Sequence, residues 1–366
     1  MSSTANSPAA PIPTPLGELH RRSGATLGAW FGCSLPDQFG DWQAEYRHLR
    51  NGVALLDKGY RAYLDFTGPD RFRYLNAILT NNVKDLREDH GAISLFLSPQ
   101  GRILAEIEAY NLHDKLFCVS YASIRESLLP ALDKYIIMDE VTLTDSTEDS
   151  TTLALEGPKA ALVTEQLTGI DVADLADLET RLASVGPFSC RLSKRSPGGT
   201  ASAEFLVARE YAESLWEFLS GAIHEHGGGP AGYVALSSFR LELGLPWFSY
   251  DFGERQIPHE AGLQDSHISY TKGCYTGQEI VERVRSRGQV NRLRVTLEYD
   301  SSQPPPPGTT LLSEGKEAGY TTRAAFSPAL HAPIGMAYLR RERSTPGAIV
   351  ELPDGSRATV ISTPIP

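Results

Sequence analysis

Four successive prolines, Pro304-Pro305-Pro306-Pro307, run into Gly308 and exclude more folds for this chain than any other stretch of it. Proline fixes φ and carries no backbone N–H, so neither a helix interior nor a central strand can hold such a run. Beyond it the segments TTLLS, AGYTTRAAF, PIGMAYL, AIVELP and RATVIS alternate with glycine-containing turns. Short β-rich runs of this kind predict a small antiparallel barrel over residues 291–366. At 366 residues the chain has room for a larger body before that barrel.

That body reads as α+β. Trp42, Tyr46, Leu49 and Val53 stand at helical spacing within residues 38–56. YRAYLDFTGPDR alternates as a strand up to the turn Gly68-Pro69-Asp70, and a helix carrying Phe72, Leu75 and Ile78 on one face follows. AISLFLSPQGRILAEIEAYNL predicts two strands about the turn Ser98-Pro99-Gln100-Gly101. KLFCVSYA adds a third strand, and SIRESLLPALDKYII a helix capped by Ser123. A second, looser cycle spans residues 140–225: strands VTLTD, STTLALEG and EFLVA, a helix PKAALVTEQL, and a long helix ending at Gly227-Gly228-Gly229. Residues 14–290 are thus expected to hold two α+β units with antiparallel sheet. Residues 1–13, rich in Ser, Ala and Pro, are expected to be a disordered lead-in rather than a signal peptide.

Composition excludes several function classes. No run of about 18 apolar residues is present, so no helix is expected to span a membrane. A formal net charge of −11 argues against general nucleic-acid binding, since a polyanion meets a repelling average surface. Cys33, Cys118, Cys190 and Cys274 lie far apart without a C-x-x-C pair, which predicts no metal site and, with no export signal, reduced thiols in the cytoplasm. Against the acidic average, Arg283, Arg285, Arg287, Arg292 and Arg294 crowd together. They form either a solvated, charge-laced face or a local clamp for a carboxylate or phosphate.

Functional groups are densest in Lys272-Gly273-Cys274-Tyr275-Thr276-Gly277-Gln278-Glu279. The glycines permit a tight turn or a close backbone approach. Lys272, together with the helix start that follows, can favour a thiolate at Cys274. The other reading is a structural turn holding a half-buried cysteine as a small hydrophobe.

This octapeptide resembles the signature of the YgfZ-type folate-binding proteins, which share their architecture with the glycine-cleavage aminomethyltransferase, or T-protein. Arg240-Leu241-Glu242-Leu243-Gly244-Leu245-Pro246 and Ile257-Pro258-His259-Glu260-Ala261-Gly262-Leu263 are similar to segments of both groups, as is the stretch from Thr14 through Leu56. The resemblance covers residues 14–366 and implies a clover-leaf: two α+β units plus a C-terminal antiparallel β-barrel around a central folate pocket. It implies that Glu204 grips the pterin of tetrahydrofolate, with Tyr275, Gln278 and Arg283 completing the cofactor-binding set. It implies catalytic candidates in Cys274, Lys272 and Glu106. Glu106 stands where aminomethyltransferases carry the second acid of an Asp-Asp pair, while Ala105 replaces the first and Ile93 replaces a ring-contacting tyrosine. The expected function is a tetrahydrofolate-binding accessory protein for assembly or repair of iron–sulfur proteins, with Cys274 as functional thiol. Its expected partners are tetrahydrofolate or its polyglutamate and iron–sulfur proteins or their assembly factors. The alternative is an aminomethyltransferase passing a one-carbon unit to tetrahydrofolate.

Overall fold

A computed structural model describes residues 10–365, apart from the side chains of Pro197 and Arg287. Residues 1–9 of the expected lead-in lie outside the described residues, but the lead-in contracts at its other end. Ile12 donates to the Gly32 carbonyl and accepts from Ser34, forming a parallel bridge with Cys33.

Two antiparallel sheets carry the body. The first runs in the order Gly91–Leu97, Ile103–Leu112, Lys115–Tyr121, Arg61–Thr67, Thr142–Asp145. One face packs the helices Arg71–Ile78 and Arg125–Asp133 over a core that includes Leu64, Phe66, Leu75, Ala105 and Ile107. The second runs Thr180–Val185, Phe188–Arg195, Ser202–Ala208, Ser150–Glu156, Ala54–Asp57, Gly229–Pro230, and only its last pair is parallel. Helices Ala160–Thr168 and Ala212–His224 cover it, with Leu155, Phe205, Leu215 and Leu219 at the centre of that core. Tyr63, Tyr110, Phe117 and Val119 of the first sheet meet Leu206 of the second, so the two sheets pack against each other.

Arg292–Tyr299, Ala332–Arg340, Lys316–Ser327, Thr310–Ser313, Ile349–Glu351 and Arg357–Ile361 close in that order into a six-stranded antiparallel barrel. The proline run links the first of these strands to Thr310–Ser313. Arg323 fixes the barrel to the body: its guanidinium pairs with Asp251 at 2.8 Å and lies 4.0 Å over Trp247.

The helical spacing across residues 38–56 resolves into a shorter helix, Trp42–Asn51, capped by Asp41, and then the buried strand Ala54–Asp57. Ser123 caps nothing: it lies in the short 3-10 turn Ala122–Ile124, and the helix Arg125–Asp133 begins without a side-chain cap. The hairpin Thr26–Trp30/Cys33–Gln38, the hairpin Thr180–Val185/Phe188–Arg195 and the helix Tyr233–Glu242 were not expected from the sequence. No helix among the described residues is long and apolar enough to cross a membrane.

Candidate functional site

The sheets, the hairpin tip and the segment before the barrel enclose a cavity of about 340 Å³, a size in the range of small-molecule sites. Alternation along Ile103–Leu112 builds one wall. Ala105, Ile107 and Ala109 enter the hydrophobic core, whereas Glu106 and Glu108 face the cavity, as the period of two in a strand requires. Residue 105 therefore points away from the cavity, and the missing first acid takes nothing from its lining.

Glu106 accepts from the Tyr121 hydroxyl at 2.8 Å and pairs with His267 Nε2 at 3.1 Å. His267 Nδ1 meets the Ser266 hydroxyl at 2.7 Å, so a hydrogen-bonded chain leads from the half-buried carboxylate to an exposed serine. Burial pushes the Glu106 carboxyl up, but the hydrogen bond and charge of His267, the Tyr121 hydroxyl and the Arg195 charge outweigh it and hold the group below the usual carboxylate range. Burial likewise opposes ionisation of Glu108, and there Arg195 and Arg61 prevail.

Glu204, on a central strand of the second sheet, accepts both of its hydrogen bonds from Arg61, at 2.6 and 2.9 Å, in a fork-to-fork pair. Arg195 approaches Glu108 at 3.1 Å, and Arg61 reaches the same carboxylate at 3.7 Å. Deeper in the wall, Glu156 binds Lys58 at 2.8 Å and Arg240 at 2.6 Å, which lowers its pKa to about 2 against the opposing effect of burial. Flat aromatic surface adjoins these charges. Phe31 stacks on Tyr60 with centroids 4.4 Å apart, and Tyr121, Tyr233 and Trp247 also line the space. Phe31 holds a φ of 52°, a left-handed conformation costing a non-glycine residue about 1–3 kcal/mol. The hairpin tip carries that cost with Phe31 N–H bonded to the Tyr250 hydroxyl.

The structure divides the residues expected from the sequence. Glu106 and Glu204 line the cavity; Lys272, Cys274, Tyr275, Gln278 and Arg283 do not. Lys272 donates to the carbonyls of Asn76, Leu79 and Asn81 at 2.5, 2.5 and 3.1 Å, closing the C-terminal end of the helix Arg71–Ile78, and lies 5.1 Å over the Tyr275 ring. The lysine is thereby spent on backbone rather than on a thiolate. Tyr275 is packed in a core with Leu95, Leu97 and Phe252. Gly277, at φ 83°, brings the loop so close to the turn at residues 98–101 that a Cβ there would sit 2.6 Å from the Ser98 carbonyl. Gln278 opens the helix Gln278–Arg287. Cys274 is exposed, while the other three thiols are buried.

The arginines do not converge on one clamp either. Arg283 pairs with Glu279, Arg285 lies over Tyr270, and Arg294 reaches the cavity lining; the Arg287 side chain lies outside the described residues. Sequence reading missed Arg61, Glu108, Arg195, Arg240 as an ion-pair partner, and His267. The Glu106-x-Glu108 alternation on a strand was the legible signal for one of them; the rest gather from separate elements.

Known proteins share this fold. Residues 16–267 match the family model described as the GCVT N-terminal domain, and residues 292–365 match that of the glycine cleavage T-protein C-terminal barrel domain. An aminomethyltransferase of Rubrobacter xylanophilus is 29% identical over 351 residues, covering 93% of each chain. One of Thermoanaerobacter pseudethanolicus is 25% identical over 342 residues, covering 93% of this chain and 92% of its own. The crystal structure of glycine cleavage system aminomethyltransferase T from Bartonella henselae superposes with a TM-score of 0.86 at 24% identity, covering 96% of this chain and 97% of that one, a likeness of fold.

Proposed function

This chain belongs to the glycine cleavage T-protein family, and on that premise we propose that it binds tetrahydrofolate in the central cavity and transfers a one-carbon unit to it as an aminomethyltransferase. The observation that carries the reading is Glu106: a half-buried carboxylate at the cavity wall, kept ionised by His267 and Tyr121. The lining fits the ligand. Stacked aromatic faces suit a flat pterin, and Glu204 still has acceptor capacity for ring N–H groups, because a carboxylate offers about four lone-pair sites and Arg61 occupies two.

When bound, tetrahydrofolate supplies the amine nitrogen that receives the carbon. Glu106 is the base for that nitrogen. It would take the proton released as a folate N–C bond replaces the carrier's C–S bond, the carrier leaving as thiolate; closure by the second folate nitrogen would then expel ammonia, which carries away that nitrogen's proton. His267 and Ser266 offer the proton on Glu106 a route outward along their hydrogen bonds. Glu204 and Arg61 orient the ring, and the paired charges of Glu108 and Arg195 fix the wall beside it.

The test is turnover of tetrahydrofolate to its methylene form with an aminomethyl-loaded lipoyl carrier protein. Glu106→Gln should lower the rate about 10²–10⁴-fold, the usual contribution of a positioned acid–base group, with a smaller effect on tetrahydrofolate affinity. Wild-type turnover in Glu106→Gln would remove this residue from the chemistry.

One observation favours a second reading, the YgfZ-type accessory role toward iron–sulfur proteins: Cys274 is the solvent-facing thiol among the four cysteines. In that case Cys274→Ser should abolish support of cluster-dependent enzymes in cells while leaving folate binding intact. Full complementation by the serine variant, together with carrier-dependent turnover by the wild type, excludes it.

A further inference from the structure

The cationic side chains lining the cavity are Lys58, Arg61, Arg195, Arg240 and Arg294; the carboxylates are Glu106, Glu108, Glu156 and Glu204. Four of the cations are matched: Lys58 and Arg240 on Glu156, Arg61 on Glu204, Arg195 on Glu108. Among the described residues Arg294 has no carboxylate partner. It is also the barrel's single contribution to the described lining.

Its guanidinium is half used. Nε donates to the Ala261 carbonyl at 2.8 Å, and Nη1 to the Gly244 carbonyl at 3.0 Å and to Met336 Sδ at 3.5 Å, which holds the plane of the group in place. Nη2 has no protein acceptor among the described residues and lies beside Gly262, where even a Cβ would approach within 3.5 Å. A largely desolvated cation oriented by two backbone bonds, with donors to spare, is the arrangement that recognises a carboxylate. Burial disfavours its charged form, and an anion at Nη2 relieves that penalty.

We propose that Arg294 anchors a carboxylate of the bound ligand, which makes the barrel part of the binding site. The inference rests on the reading of the cavity as a folate site. Two sources offer that carboxylate: the glutamate tail of tetrahydrofolate, or a separate small amino acid bound beside it.

Calorimetric titration of the full chain separates them, using tetrahydrofolate, its diamide with both tail carboxylates capped, and N-methylglycine added to the folate-loaded protein. If the tail is the ligand, the wild type binds tetrahydrofolate roughly 10- to 100-fold more tightly than the diamide, the factor expected of a charge-assisted hydrogen bond. Arg294→Gln erases that difference, and Arg294→Lys keeps part of it. If a separate amino acid is the ligand, folate and diamide bind alike, and N-methylglycine binds the wild type but not Arg294→Gln. Should the glutamine variant fail to fold, the wild-type comparison decides. A wild type that binds folate and diamide equally and ignores N-methylglycine overturns the assignment while leaving the folate reading standing. A wild type that binds neither folate nor diamide overturns the folate reading, and the assignment with it.

Discussion

Arg61 and Glu204 form a pair whose two members should not be equally costly to remove. Both are nearly closed off from solvent, and two hydrogen bonds join them. Breaking a buried pair by neutralising one partner typically costs about 3–5 kcal/mol, because the remaining charge is left in a poor dielectric. In Glu204→Gln the remaining charge is Arg61, which keeps Glu108 at 3.7 Å. Its cost should fall near or below the lower bound, about 2–3 kcal/mol. In Arg61→Met the remaining charge is Glu204, whose hydrogen bonds both came from Arg61, and Glu108 loses a cation as well. That variant should cost the full 3–5 kcal/mol or more. The double variant strands only Glu108, still held by Arg195 at 3.1 Å, so it should be more stable than Arg61→Met alone. Urea unfolding followed by tryptophan fluorescence gives the four free energies, and the cycle gives the coupling. Equal costs for the two single changes, or a double variant whose loss is the plain sum, would refute the argument.

Three further outcomes are expected. In the native protein a thiol reagent should modify Cys274 quickly, with Cys33, Cys118 and Cys190 reacting only on unfolding. All three are buried, and burial raises Cys33, helped by the Asp57 charge, to about 12 and Cys190 to about 11; mass spectrometry of partly labelled protein reads the order. Gly277→Ala should lose about 1–3 kcal/mol in thermal or urea unfolding, since it meets the Ser98 carbonyl at 2.6 Å from a left-handed backbone, and an unchanged midpoint would show that the loop yields freely. Glu156 has a folded-state pKa of about 2, below its ordinary value near 4.5. Its share of stability, on the order of 3 kcal/mol, is therefore complete above about pH 5 and fades as the pH falls toward 2. Glu156→Gln should flatten that part of the stability–pH curve.

Sequence reading located elements where the pattern was local. The strands and helices of residues 61–133, other than the supposed cap at Ser123, and the five barrel strands beyond the proline run followed from periodicity and turn residues, whereas the first barrel strand, Arg292–Tyr299, was not among the runs read. It failed where tertiary context decided. Val53, expected to extend a helix, leads instead into Ala54–Asp57, a strand so short and fully buried that only its neighbours at residues 150–156 and 229–230 define it. The site divided in the same way. Glu106 and Glu204 were picked out by the resemblance to T-protein segments, not by periodicity or composition. The partners that set their charge, His267 and Arg61, are 161 and 143 residues away in the chain. The residues 272–279 drew attention through their chemistry, yet Lys272 and Gly277 prove to hold the loop against the first sheet.

The same short strand dictates how the chain can be assembled. Ala54–Asp57 leaves the ribosome early, but its parallel neighbour Gly229–Pro230 appears only after the whole first sheet and most of the second have been made. At usual synthesis speeds the wait for its first partner, the antiparallel strand Ser150–Glu156, is already on the order of ten seconds, during which four apolar-rich residues have no edge to join. No cut between residues 58 and 149 can release two self-sufficient halves, since the N-terminal piece would take a strand out of the second sheet's interior. Limited proteolysis in that interval should yield fragments that stay together under native conditions, and separately expressed halves should be insoluble alone and recover structure only when refolded as a mixture.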